Sequence, residues 1–138
     1  MKKVKLVIAI LMLFGGCSTK KDHDNTWPEL DAFHKVMAKV YHPLKDSGNL
    51  SPVKDLINDL TKQADVLAAS KAPKDNDDAD MHSKLENLKS DAHSLSEIIN
   101  SRADDALIKE KLTLLHEHFH KIMEAVHQID EKDEHHQH

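Results

Sequence analysis

Four side chains near the end of the chain are of types that bind transition metals. Their spacing of four, three and four residues puts them along one side of a helix, and they are His116, His120, Met123 and His127. Two imidazoles one helical turn apart can chelate a single ion. Imidazole with thioether suits copper, and imidazole with a carboxylate such as Glu117 suits zinc or nickel. The spacing therefore predicts a site for Cu, Zn or Ni.

The same segment matches a protease motif in a formal sense. His116-Glu117-His118-Phe119-His120 fits His-Glu-x-x-His, in which two histidines hold zinc and the glutamate activates a bound water. Any helix with this spacing satisfies the motif, and Met123 stands where the longer metzincin motif requires glycine. The sequence contains neither a nucleophile constellation nor a glycine-rich phosphate loop. The chain is therefore predicted not to be an enzyme.

Composition limits the ligands and the partners. The 138 residues include 12 histidines but a single cysteine, Cys17, so no disulfide can form within the chain. The formal net charge is −5 with histidine neutral, and basic clusters are absent from the sequence, so we expect no nucleic-acid partner. The ending Glu134-His135-His136-Gln137-His138 is a second candidate chelator of the weak, flexible kind.

Apolar residues recur at helical spacing in four segments, and each segment predicts one amphipathic helix. The first stripe is Leu30, Phe33, Met37, Val40 and Leu44, and the second is Val53, Ile57, Leu60, Ala64 and Leu67. The third is Met81, Leu85, Leu88, Ala92, Leu95 and Ile99, and the fourth is Ile108, Leu112, Leu115, Phe119, Ile122, Val126 and Ile129.

Capping residues indicate where these helices begin and end. Thr26 is the expected N-cap of the first helix, with Pro28 in its first turn. Pro43 is expected to kink or end that helix. Ser51 is the expected N-cap of the second helix, with Pro52 at its first position.

The connections predict how the helices are arranged. Most are short, which places consecutive helices antiparallel, whereas the polar stretch 72–80 is expected to be a mobile loop. The predicted fold is all-α, an antiparallel up-down-up-down four-helix bundle over residues 26–130, followed by an acidic, histidine-rich tail at 131–138. We expect this domain to be a monomer.

Two stretches resemble one known family. Asn49-Leu50-Ser51-Pro52-Val53-Lys54-Asp55 resembles the turn into the second helix of the cytochrome b562 family, and Phe119-His120-Lys121 lies where that family has its axial histidine. The resemblance covers most of residues 27–127 and implies the same bundle. It places the axial methionine on His34 and the axial histidine on His120. A haem b would then have two histidine ligands, and a covalent c-type haem is excluded because no Cys-x-x-Cys-His occurs.

The same match places His34 opposite His120 on neighbouring helices. His116 would lie about 6 Å further along, since a helix rises about 1.5 Å per residue, and Met37 is one turn from His34. His34, His116 and His120 could therefore converge on one ion, with Met37 or Met123 as a soft fourth ligand.

The first 16 residues are typical of an export signal. Three lysines precede the apolar run Leu6–Phe14, which is too short to span a bilayer as a mature helix. Leu13-Phe14-Gly15-Gly16-Cys17-Ser18 resembles the lipobox of bacterial lipoproteins, whose cysteine is acylated once the signal peptide 1–16 is removed. Removing that peptide takes away the three lysines and changes the net charge from −5 to −8.

Acylated Cys17 would hold the domain at a membrane surface, since each buried methylene contributes about 0.8 kcal/mol. Residues 17–25 then form a polar tether. Ser18 stands where the retention signal for the inner membrane has aspartate, so the resemblance favours the outer membrane within the cell envelope.

Three functions remain open at this point. The first is a lipid-anchored protein that buffers, carries or gives resistance to a transition metal. The second is a haem b electron carrier ligated by His34 and His120. The third is a structural or interaction bundle without a cofactor.

The lipobox resemblance predicts that Cys17→Ala abolishes acyl labelling and leaves unprocessed precursor in the cell. Metabolic labelling with a radioactive fatty acid, read beside the electrophoretic mobility of the chain, measures both effects. Labelling of the variant at the wild-type level would show that the lipid is attached elsewhere.

Overall fold

The computed structural model describes residues 27–134, with side chains up to residue 128. The predicted signal peptide, Cys17, Thr26 and the histidines after residue 134 lie outside the described residues. The described part contains four helices and no strand: α1 (Pro28–Ser47), α2 (Ser51–Ala69), α3 (Ala79–Asn100) and α4 (Asp105–Glu134), with a 3-10 turn at Lys74–Asn76. The all-α, four-helix prediction is confirmed. Nowhere in these residues is a helix long and apolar enough to cross a bilayer.

The core consists of one apolar stripe from each helix, as the spacing predicted. The predicted stripe residues whose side chains are described are all buried, except Ile99, which is partly buried against the core. The largest side chains that are completely enclosed include Phe33, Phe119, Met37 and Leu88. Fully burying one such side chain contributes roughly 1.5–3 kcal/mol. The core therefore fixes which face of each helix turns inward.

Polar contacts tie the ends of the helices together. Trp27, immediately before α1, is buried, and its indole N–H donates to the hydroxyl of Ser70, just after α2, at 2.8 Å. Lys54, in the first turn of α2, donates to the carboxylate of Asp105, the first residue of α4, at 2.7 Å. The start of α1 thus meets the end of α2, whereas α2 and α4 begin at the same end of the bundle.

Two helix ends have details that the sequence left open or missed. Of the two outcomes expected at Pro43, a kink or the end of α1, the second does not occur, because α1 continues for one more turn to Ser47. The Pro43 carbonyl accepts bonds from the Asn49 N–H at 3.1 Å and the Ser47 hydroxyl at 3.0 Å; a proline this close to the end removes only one backbone donor. α2 begins at Ser51 itself, which is therefore not its cap, and the Asn49 side chain accepts the Ser51 N–H at 3.0 Å.

The linker between α2 and α3 packs against the bundle, although its polarity suggested a mobile loop. Asn76 is only 3% exposed, and its side-chain amide donates to the carbonyl of Ala125 on α4 at 3.2 Å. Asp78 caps α3, because its carboxylate accepts the Met81 N–H at 2.8 Å. One specific contact to the last described helix thus holds a segment whose composition alone is typical of a solvated loop.

Two chain reversals use left-handed backbone. Gly48 follows α1 with φ 67°, and Arg102 follows α3 with φ 56°. A side chain in this region costs roughly 1–2 kcal/mol. A Cβ on Gly48 would meet no atom within 4 Å, so a substitution there would suffer from backbone conformation alone. At Arg102 the N–H donates to the Ile99 carbonyl at 3.0 Å, a bond typical of a helix end that normally favours glycine.

These two positions should respond in opposite directions to substitution. Gly48→Ala should lower the free energy of unfolding by about 1 kcal/mol. Arg102→Gly should raise it by roughly 0.5 kcal/mol, since relief of the left-handed strain is partly offset by the greater freedom of glycine in the unfolded chain. Urea unfolding followed by circular dichroism measures both changes. Lys121→Arg on the exposed face of α4 is the control, because both residues are good helix formers, and equal shifts in all three variants would contradict the backbone explanation.

Candidate metal centre

His116 and His120 lie on α4 beside its buried stripe, next in sequence to Leu115 and Phe119. This flank of α4 faces α1, and α1 and α4 pack against each other less extensively than the other neighbouring helices do. Across this seam His116 stacks on Tyr41 of α1. The two imidazoles therefore occupy the most open seam of the bundle.

The ring nitrogens of this pair converge. The Nε2 atoms of His116 and His120 are 3.1 Å apart, and the rings meet edge to face with their centroids separated by 4.4 Å. Two imidazole nitrogens on one Zn²⁺ lie about 2.8–3.4 Å apart, given bonds of roughly 2.0–2.1 Å and angles between square and tetrahedral. The separation of the two Nε2 atoms therefore matches that of two ligands of one ion, and the rings would have to tilt so that both lone pairs point at the ion instead of along the hydrogen bond.

Tyr41 holds the His116 ring in place. The rings are nearly parallel, 12° apart, with centroids separated by 3.5 Å. The sequence reasoning did not single out this tyrosine. Tyr41 follows His34 by seven residues, or two helical turns, so both flank the buried α1 stripe on one side. That spacing is the sequence signal that could have placed Tyr41 at the seam.

Burial of the imidazole, together with the nearby His120, His42, Lys45 and His34, lowers the pKa of His116 from 6.5 to about 4. Desolvation acts against the charged ring, and every one of these neighbours is a cation or can become one. His116 is therefore neutral at pH 7, which is the state that binds a metal.

The other predicted ligands are farther from convergence. His34 is exposed on α1, and its ring centroid lies 5.3 Å from that of Phe119. Met37 is 1% exposed within the core, and Met123 is partly buried against it. Among the described residues no group of three or more His, Cys, Asp or Glu side chains is placed to hold a metal. The geometry brings together His116 and His120 of the predicted set.

Three other histidines of the bundle have carboxylate partners. His118 is partly buried and pairs with Asp91 of α3. His93 contacts Asp65 of α2 at 2.8 Å. His82 contacts Asp77 at 3.0 Å. These contacts link neighbouring segments. Each of the three histidines therefore has its own carboxylate partner and is not part of the His116–His120 pair.

The packing between α1 and α4 does not fit a haem. His34 and His120 are both exposed, and the Phe119 ring is a neighbour of each, with centroids 5.3 and 6.2 Å away. Phe119 and Phe33 are buried, and their rings pack at 5.2 Å. A macrocycle between the two histidines would have to displace these rings from the core. The bis-histidine haem therefore gains no support from this arrangement.

Comparisons of the chain with protein-family models, with curated proteins and with solved structures found no match.

The lowered pKa of His116 predicts how the metal-free protein responds to acid. Between pH 6.5 and about 4 the unfolded chain binds a proton at this ring that the folded chain does not. Stability from this group is therefore full above pH 6.5 and is lost as the pH falls toward 4. In urea unfolding with a chelator present, the loss of stability from pH 7 to pH 5 should be smaller for His116→Phe, which can still stack on Tyr41, than for wild type.

His82→Gln is the matched control for that measurement, because His82 is an exposed histidine at a distance from the seam. An equal pH-dependent loss in wild type and His116→Phe would contradict the depressed pKa.

Proposed function

We propose that this chain is a lipid-anchored protein of the bacterial cell envelope whose helical bundle reversibly binds a late first-row transition metal, as a buffer, carrier or resistance protein. The observation that carries the proposal is the 3.1 Å separation of the His116 and His120 Nε2 atoms. His34, on the opposite side of the seam, is the proposed third ligand from α1. Attachment to the membrane through Cys17, with the outer membrane favoured, rests on the sequence.

The donor set supports this class of metal. The two donors are imidazole nitrogens, and the charges that act on His116 come from histidines and Lys45. Imidazole suits Zn, Cu and Ni, whereas Mg²⁺ and Ca²⁺ require oxygen ligands. A partly buried, stacked ring beside an exposed partner also combines a fixed donor with access from solvent, which suits an ion that must be taken up and released.

The proposal includes the antiparallel up-down-up-down order of the cytochrome b562-like bundle, because this order puts α1 beside α4. Three contacts support it. Trp27 meets Ser70 across α1 and α2, Lys54 meets Asp105 at the starts of α2 and α4, and Tyr41 meets His116 across α1 and α4.

Metal affinity measured on ligand variants tests the function. In the full chain in detergent, with His135, His136 and His138 replaced by Gln so that the tail does not contribute, His120→Ala should weaken Cu²⁺ or Zn²⁺ binding at pH 7 at least about tenfold, as even loss of a supporting residue does in metal sites. If His34 shares the ion, His34→Ala should also weaken metal binding. The double variant should then lose little more than either single variant, since ligands of one ion act together.

His93→Ala serves as the matched control, because it removes an exposed histidine of the same bundle. Wild type should also melt at higher temperature as metal is added, since the ion binds the folded state, and a visible spectrum of protein taken from the envelope should lack a Soret band. Equal affinity in wild type, His120→Ala and His93→Ala would sink the metal site and leave a structural bundle.

A further inference from the structure

The His116–His120 pair offers too few donors for a closed metal site. A structural zinc site has four protein ligands, and a catalytic site has at least three. The described residues bring together two imidazoles and no third His, Cys, Asp or Glu. The proposed third ligand, His34, has its ring beside Phe119 and does not complete a group of three with the pair. Half of a four-coordinate sphere is therefore missing from one chain.

The accessible side of the pair could meet another molecule. The His120 side chain is exposed, and His116 is partly exposed even though Tyr41 covers one face of its ring. Because the two Nε2 atoms point at each other, one of them carries the shared hydrogen and the other accepts it. A metal would replace this hydrogen bond once both rings carry their proton on Nδ1, a tautomer change that leaves each ring neutral.

We infer that one metal ion joins two copies of this chain, each contributing His116 and His120, so that four imidazoles surround the ion across a two-fold axis. The inference rests on the proposed metal-binding function. A two-fold axis through the ion repeats the same pair of ligands on both sides, and this self-complementary arrangement is the commonest form of dimer. Two pairs supply the four nitrogens that tetrahedral zinc or tetragonal copper requires.

The net charge of the chain indicates that the metal ion, and not a protein interface, holds the two copies together. Without the signal peptide each chain carries a formal net charge of −8, so two metal-free copies repel each other. The described surface near the pair also lacks an extensive apolar patch, because Val66 on α2 is the one large hydrophobic side chain in the described residues that counts as exposed. The metal-free chain is therefore monomeric, and the ion supplies the attraction.

Native mass spectrometry of the full chain, released from detergent in the instrument, counts chains and ions together. The probe is Zn²⁺, added in steps to protein whose tail histidines, His135, His136 and His138, are replaced by Gln. We expect a species of two chains and one ion that is most abundant at half an equivalent of Zn²⁺. It should decline at excess Zn²⁺, because each pair then takes its own ion. His120→Gln should abolish the dimer, whereas His93→Gln and His34→Gln should retain it.

Different failures have different meanings. A complex of one chain with one ion that requires His120 at every Zn²⁺ concentration would overturn the bridged dimer and leave the proposed metal-binding function intact. A dimer that forms without Zn²⁺, or that persists in His120→Gln, would overturn the bridging role of the pair. Absence of any His120-dependent Zn²⁺ binding would overturn the inference and the proposed function together.

Discussion

The apolar stripe of α4, from Ile108 to Val126, is buried along its whole length, and this burial fixes the rotation of the helix about its axis. Each of these side chains contributes roughly 1.5–3 kcal/mol, whereas one hydrogen bond between imidazoles contributes about 1 kcal/mol. If α4 were rotated about its own axis by one residue position, several apolar side chains would become exposed. The only gain would be a better geometry for one polar contact. The core therefore decides where His116 and His120 lie, and the histidine pair follows from it.

Periodicity predicted most of the fold because burial itself produces the pattern. The stripes of all four helices are inside, and the missed details are those decided by single contacts. The last turn of α1, after Pro43, depends on two donors to the Pro43 carbonyl, the Ser47 hydroxyl and the Asn49 N–H just beyond the helix. Burial of Asn76 depends on a carbonyl 49 residues away in the chain. No local composition carries such information, so these features appear only when the helices are packed together.

The candidate site was predictable to the extent that it lies within one helix. A separation of four residues brings His116 and His120 together in any α-helix. The contribution of α1 depends on how two helices slide and rotate against each other, which spacing does not specify. The residue of α1 that the packing places directly against His116 is Tyr41, which was not one of the predicted ligands. The packing also puts Met37 inside the core, because a residue in the middle of an apolar stripe points away from a flanking site.

Trp27 is the single tryptophan of the chain, and it is buried where α1 begins and α2 ends, with its indole bonded to Ser70. Along α1 it is about 21 Å from Tyr41, the partner of His116. Intrinsic tryptophan emission from this protein is therefore an optical signal from one end of the bundle alone. Fraying of the first turn of α1 would shift that emission to longer wavelength, whereas rearrangement of the imidazoles near Tyr41 would leave it nearly unchanged. One built-in chromophore thus separates loosening at the start of α1 from events at the histidine pair.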